Sequence, residues 1–161
     1  MDKYTIEEKK KMCSKYSPGI ILCSEELYRI TLHPEHISSE GDVLPSAIST
    51  ADLECRGFSV ERKEYSSTNI ICDIADKQIQ SKEAREYAEV AKLECGKIRT
   101  LNYEQTNERS FLVIDDALEN NIAHASIYSA MKTSKKSILR KLRTQLSPFL
   151  KNRVSLDSLT T

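Results

Sequence analysis

The sequence has no tryptophan and little glycine or proline: 4 of each in 161 residues, about 5% together where the usual combined share is about 12%. That scarcity excludes collagen-like, linker-rich and low-complexity chains. It also leaves no GxxxxGK[ST] and no GxGxxG cradle for phosphates. No apolar run exceeds four residues, so no membrane-spanning helix and no membrane partner are expected. The first twenty residues place Glu7 and Glu8 among lysines without an apolar stretch, so no secretory signal is expected either. Paired cysteines are missing as well. Cys13, Cys23, Cys55, Cys72 and Cys95 are separated by 10, 32, 17 and 23 positions, with none of the close pairs that a zinc site needs to bring two thiolates onto one ion. An odd count without a signal points to a reducing, cytoplasmic setting, in which these thiols act as small buried hydrophobes.

What is present describes one polar globular domain. A chain of this length buries roughly 70% of its unfolded surface and needs no metal or disulfide to fold. Thr5-Ile6-Glu7-Glu8 reads as a capping box opening a helix over about residues 6–16, ended by Ser17-Pro18-Gly19. Residues 20–23 read as extended. Tyr28, Ile30 and Leu32 alternate with Leu27, Arg29, Thr31 and His33, the pattern of a strand with a buried face. Residues 38–52 are rich in serine, glycine and proline and read as a long loop. Phe58 and Val60 alternate with Ser59 and Glu61 in a second strand. Ser66-Ser67-Thr68 starts a helix over residues 68–80. Residues 83–101 fit either a helix or a strand that ends at Gly96, and read as a helix passing into a strand that extends over residues 96–101. Phe111–Ile114 and Ile122–Tyr128 complete the strands. Ser134 caps a last helix with Ile138, Leu139, Leu142 and Leu146 on one stripe. Strands and helices mix without regular alternation, which predicts an α+β domain with a small mixed or antiparallel sheet flanked by helices. The expected organisation is an N-terminal helical arm (1–18), the α+β core (19–131), a basic amphipathic helix (132–151) and a flexible tail (152–161).

Three features could carry chemistry. The first is charge asymmetry. Residues 120–156 contain no acid and eight cations, Lys132, Lys135, Lys136, Arg140, Lys141, Arg143, Lys151 and Arg153, in a chain whose net charge is zero. Lys132, Lys135, Lys136, Arg140, Lys141 and Arg143 are the candidate partner- or nucleic-acid-binding residues. The competing explanation is a solvated helix face whose cations are favoured near the C-terminal end by the helix dipole. The second feature is His33-Pro34-Glu35-His36, with His124 as the only other histidine. Pro34 keeps the first two off a common helix face, so no metal site is expected and the group reads as a strand-ending turn. The third is Arg56-Gly57-Phe58-Ser59-Val60-Glu61-Arg62, where alternation puts Arg56 with Ser59 or Glu61 near one surface.

Those segments carry two resemblances. The HPEH segment, the Gly41–Ala47 loop, Gly57–Arg62 and Ala123-His124-Ala125-Ser126-Ile127 are similar to stretches in a group of small uncharacterised bacterial proteins. The similarity spans about residues 27–128 and implies no activity. A second likeness is to ADP-ribosyltransferase-type folds. There a strand like Leu27-Tyr28-Arg29 and a later one like Arg56-Gly57-Phe58-Ser59 would flank a nicotinamide dinucleotide. The chain lacks the catalytic glutamate strand of such folds.

The residues together point to a bacterial cytoplasmic accessory or adaptor module. It would dock a larger protein through the basic helix and need no catalysis and no cofactor. The alternative is a small enzyme acting on a nucleotide or nucleic acid, with Arg29, His33, Arg56 and His124 around a pocket. A third reading is direct nucleic-acid binding through residues 132–153.

Overall fold

Period-two alternation along Glu26–His33 builds the central strand, β1, with Tyr28, Ile30 and Leu32 on one face and Leu27, Arg29 and Thr31 on the other. The computed structural model, which describes Glu8 and residues 14–159, joins it to β2 (Phe58–Arg62), β3 (Tyr87–Glu94), β4 (Phe111–Asp115), β5 (His124–Ser129) and β6 (Arg153–Ser155). All pairings are antiparallel in the order β4-β5-β2-β1-β3-β6. The fold is a single small α+β domain, as the mixed pattern predicts. Most of the helix expected over residues 6–16 lies outside the described residues. No described helix is long and apolar enough to cross a membrane.

Among the described residues three α-helices accompany the sheet, α1 (Thr68–Gln80), α2 (Cys95–Arg99) and α3 (Lys136–Leu146), with short helical turns such as Asp52–Arg56 between the strands. On the first face Leu27, Phe58, Val60, Leu93, Phe111, Val113 and Ile127 pack beneath Leu139, Leu142 and Leu146 of α3. All three leucines are fully buried, each contributing about 1.5–3 kcal/mol. The basic helix is therefore part of the core. On the second face α1 lays Ile71 and Ala75 over Tyr28, Ile30, Leu32, Ala88 and Val90. Ser67 starts α1 as expected, its hydroxyl accepting from the Ile70 amide at 3.2 Å.

Three local expectations give way. Residues 20–23 form turns, not a strand, with Ile21 buried in the first core. Residues 87–99 run strand then helix, the reverse of the expected order. Gly96 stands inside α2 because a Cβ there would lie 2.9 Å from the Cys23 carbonyl oxygen, while its amide donates to that oxygen. Residues 153–155, read as tail, form β6 on the β3 edge, and Val154, Leu156 and Leu159 pack against the α1 core.

Two buried ion networks tie distant segments together. Arg62 is fully buried and donates to both carboxylate oxygens of Glu25, at 2.8 and 2.9 Å, and to the Gly19 and Ile20 carbonyls. Its guanidinium also lies 3.7 Å from Asp115 and 4.5 Å from the Tyr65 ring centre. Buried Glu8 joins Arg99, Arg109 and the Val113 amide, closing off part of the β4 edge.

The sheet is split along its middle. β1 and β3 pair over eight positions, but β1 and β2 pair only through Leu27–Arg62 and Tyr28–Glu61. Beyond those pairs the ladder stops, leaving the half-sheets β4-β5-β2 and β1-β3-β6 joined at one end.

Candidate functional site

Arg29 stands at the split. Its Nη1 donates to the Ser59 carbonyl at 2.9 Å, taking the place of the missing ladder, and its guanidinium carbon lies 4.1 Å from the Phe58 ring centre. Arg29 Nε is buried without a hydrogen-bond partner, and among the described residues no carboxylate bridges this side chain. Asp52, the acid that acts most strongly on it, is committed to Arg56 at 3.0 Å. Burial lowers the guanidinium to about 10; Asp52 and Glu61 oppose the shift and nearby Arg85 adds to it. The group stays charged at neutral pH, so the split holds a cation with unused donor capacity.

The pairing register gathers a polar set from β2 and β5 on the second face. Ser59 opposes Ser126 and Glu61 opposes His124, so both pairs share a face with Tyr28. His124 Nε2 lies 3.3 Å from Ser59 Oγ, and Nδ1 lies 3.0 Å from the Asp116 carbonyl. A carbonyl only accepts, so Nδ1 carries the proton and Nε2 presents its lone pair to the serine. Tyr128 donates to the Asp116 carboxylate at 3.2 Å, and burial followed by Asp116 raises its hydroxyl above the usual range. Glu61 is buried and raised chiefly by that burial, against the pull of the Asn121 amide, which donates to it at 2.9 Å, and of His124 and Arg29. Gly57, at φ +93°, roofs Ser126 and Tyr128 so closely that a Cβ would lie 2.9 Å from both hydroxyl oxygens. Its amide closes the preceding helical turn on Asp52.

Of the four pocket candidates, Arg29 meets the Ser59 carbonyl from the Leu27 and Phe58 face and His124 meets the Ser59 hydroxyl on the Tyr28 face, so the two reach one residue from opposite faces of the sheet. His33 does not join them. It projects from the same face as Leu27, opposite the face of Tyr28, Glu61 and His124, so His33 and His124 share no pocket. Its Nε2 lies 2.5 Å from Glu89 and its ring stacks on Tyr87 at 4.2 Å. Arg56 is an exposed residue held by Asp52 and by Ser49. His36 is buried and accepts the Leu32 amide through Nδ1 at 3.1 Å. Among the described residues no three His, Cys, Asp or Glu side chains converge as a ligand set for a metal.

The basic candidates divide differently. Lys132, Lys135, Lys136, Arg140 and Lys141 are exposed and Arg143 is half-buried. Lys141 pairs with Glu104, and Lys136 reaches Thr50 at 3.4 Å. No described carboxylate bridges Lys135, Lys136, Arg140 or Arg143. Lys132 and Lys135 precede α3 and Lys136 opens it, at the end where the helix dipole disfavours cations. The dipole thus accounts for Arg143 in the last turn and for none of the first three.

The sequence reading missed Asp116, Ser126 and Tyr128, and offered Ser59 and Glu61 only as pocket-lining neighbours of Arg56. The signal was present: in Phe58–Glu61 and His124–Tyr128 every polar residue falls on one side of the alternation. No protein-family model matches this chain, and no curated protein and no solved structure matches it either.

Proposed function

We propose that the chain is a small enzyme that binds a nucleotide at the split between β1 and β2. The observation that carries this reading is Arg29: a charged guanidinium between two parted strands, with one nitrogen unpartnered and no ion pair to a described carboxylate. Arginine in that state suits a phosphate group, which its planar fork recognises. Ser59 links the two, its carbonyl accepting from Arg29 and its hydroxyl meeting His124, and the likeness to ADP-ribosyltransferase-type folds rests on Leu27-Tyr28-Arg29 and Arg56-Gly57-Phe58-Ser59. The test is a nuclear magnetic resonance titration of the labelled protein with AMP, ADP and NAD+. Shifts concentrated at Arg29, Ser59 and His124 support the reading. Shifts absent at all three, or unchanged in Arg29→Met, contradict it.

A second reading, an accessory module docking an acidic protein partner through α3, is favoured by the cations at the positive end of that helix. Lys135 and Lys136 stand at that unfavourable end with no described carboxylate bridging them, which suits a surface kept for another molecule's acids. No aromatic residue stands among Lys132–Arg143 to stack on bases, so an acidic protein fits better than a nucleic acid. Free thiols at Cys23, Cys55, Cys72 and Cys95 support a reducing, cytoplasmic setting for either reading. A pull-down in which Lys136→Glu/Arg140→Glu/Arg143→Glu loses a protein that the wild type retains at low salt tests it.

A further inference from the structure

We propose that Ser59 is a nucleophile and His124 its general base, acting on a phosphate ester; the substrate class rests on the nucleotide reading above, the activation of the serine does not. An activated serine needs a base within hydrogen-bond reach and a third group orienting that base. Both are present. His124 Nε2 stands 3.3 Å from Ser59 Oγ, and the Asp116 carbonyl fixes the Nδ1–H tautomer from the far side at 3.0 Å. Ser59 is half-buried. Asp116 is a positioning residue: its carbonyl orients His124 and its carboxylate accepts from Tyr128.

Ser59 and His124 lie 65 positions apart and meet as diagonal neighbours across β2 and β5. Glu61 stands directly opposite His124. Its charge, where ionised, favours the imidazolium that forms once the serine proton has moved.

The reaction is a double displacement. Ser59 Oγ forms a bond to phosphorus as the bond from phosphorus to the leaving oxygen breaks. The serine proton passes to His124 Nε2 and from there to the departing oxygen. Water then attacks the phosphoserine, His124 takes a proton from that water, and Ser59 Oγ leaves and recovers it. The ester and one water become an alcohol and a phosphate, with no change of oxidation state.

The test uses the whole chain, an alkyl fluorophosphonate and bis(4-nitrophenyl) phosphate. The expected result is a single covalent adduct with loss of fluoride, mapped by mass spectrometry to Ser59. Ser59→Ala abolishes the adduct, and His124→Gln slows it at least tenfold while the circular dichroism spectrum stays unchanged. Turnover of bis(4-nitrophenyl) phosphate follows the same pattern. No adduct on Ser59 of the wild type, or an adduct formed equally fast in His124→Gln, overturns the nucleophile. An adduct without phosphodiester turnover overturns the substrate class. An adduct in a protein that binds no nucleotide would remove the nucleotide reading and leave the nucleophile standing. Nucleotide binding without an adduct does the reverse.

Discussion

Arg62 and Glu25 form a fork-to-fork ion pair in the interior, with nitrogen-to-oxygen distances of 2.8 and 2.9 Å and side chains 1% and 4% exposed. This pair fastens the turns at residues 19–25 to the end of β2, and Asp115 at 3.7 Å draws in the end of β4. Removing one partner strands a buried charge, which costs about 3–5 kcal/mol. Arg62→Met is therefore expected to lower the unfolding free energy by about that amount in urea denaturation. Adding Glu25→Gln to it should return part of the loss, because the uncompensated carboxylate is then gone. A single variant as stable as the wild type would show that these charges are not confined as described.

His36 gives the fold a defined response to acid. Burial, reinforced by Arg29, lowers its imidazole to about 4, and Nδ1 is the acceptor for the Leu32 amide. Protonation must occur at that nitrogen and break the bond. The unfolded chain takes up the proton near the ordinary value of about 6.5. Stability is thus full above that value and is lost as pH falls from about 6.5 towards 4, by on the order of 3 kcal/mol across the window. Below about 4.5 a second loss begins, as Glu35, held at about 2 chiefly by its bond from Arg85, is protonated in the unfolded chain first. Chemical denaturation at pH 7 and pH 5 checks the first step. In His36→Asn, whose side-chain oxygen can still accept from Leu32, the difference between the two pH values should largely vanish.

Gly57 ties backbone shape to the polar face. At φ +93° a side chain is strained, and a Cβ would press on the Ser126 and Tyr128 hydroxyls at 2.9 Å. Gly57→Ala is expected to cost about 1–3 kcal/mol and to move Tyr128 off Asp116. Thermal unfolding reads the first effect. The tyrosine ultraviolet titration reads the second, through loss of the upward shift that burial and Asp116 impose on this hydroxyl.

Much of this architecture was legible because it is local. The alternation of Tyr28, Ile30 and Leu32, the aliphatic run Phe111–Ile114 and the Ser67 start of α1 each report on neighbours two to four positions away. Residues 83–101 misled because β3 is covered on both faces, so Ala88, Val90, Ala91 and Leu93 blur the period of two, and Gly96 served close approach to Cys23 where it resembled a strand end. No local pattern in the sequence marks Arg62 and Arg99 as buried. They are buried because Glu25 and Glu8 reach them from distant segments. The split of the sheet and the approach of Ser59 to His124 depend on where a ladder stops, which no spacing in the chain encodes.

The exposed cations of α3 separate fold from docking. In Lys136→Glu/Arg140→Glu/Arg143→Glu the stripe of Leu139, Leu142 and Leu146 is untouched. Folding should change by no more than about 0.5 kcal/mol per exposed site, with a larger share from half-buried Arg143. Retention on an immobilised polyanion such as heparin should fall to a much lower salt concentration. Unchanged retention would assign the segment to solvation alone.

The claim that Arg29 is a ligand-binding cation and not a structural prop is tested most directly by isothermal titration calorimetry of ADP into the wild type and Arg29→Met. The replacement keeps apolar contact with Phe58 and removes the charge and the bond to the Ser59 carbonyl. The account predicts saturable binding to the wild type, weakened at least tenfold in the variant, in a protein that still unfolds cooperatively. Equal affinity in the two proteins, or no heat of binding to the wild type, would contradict it.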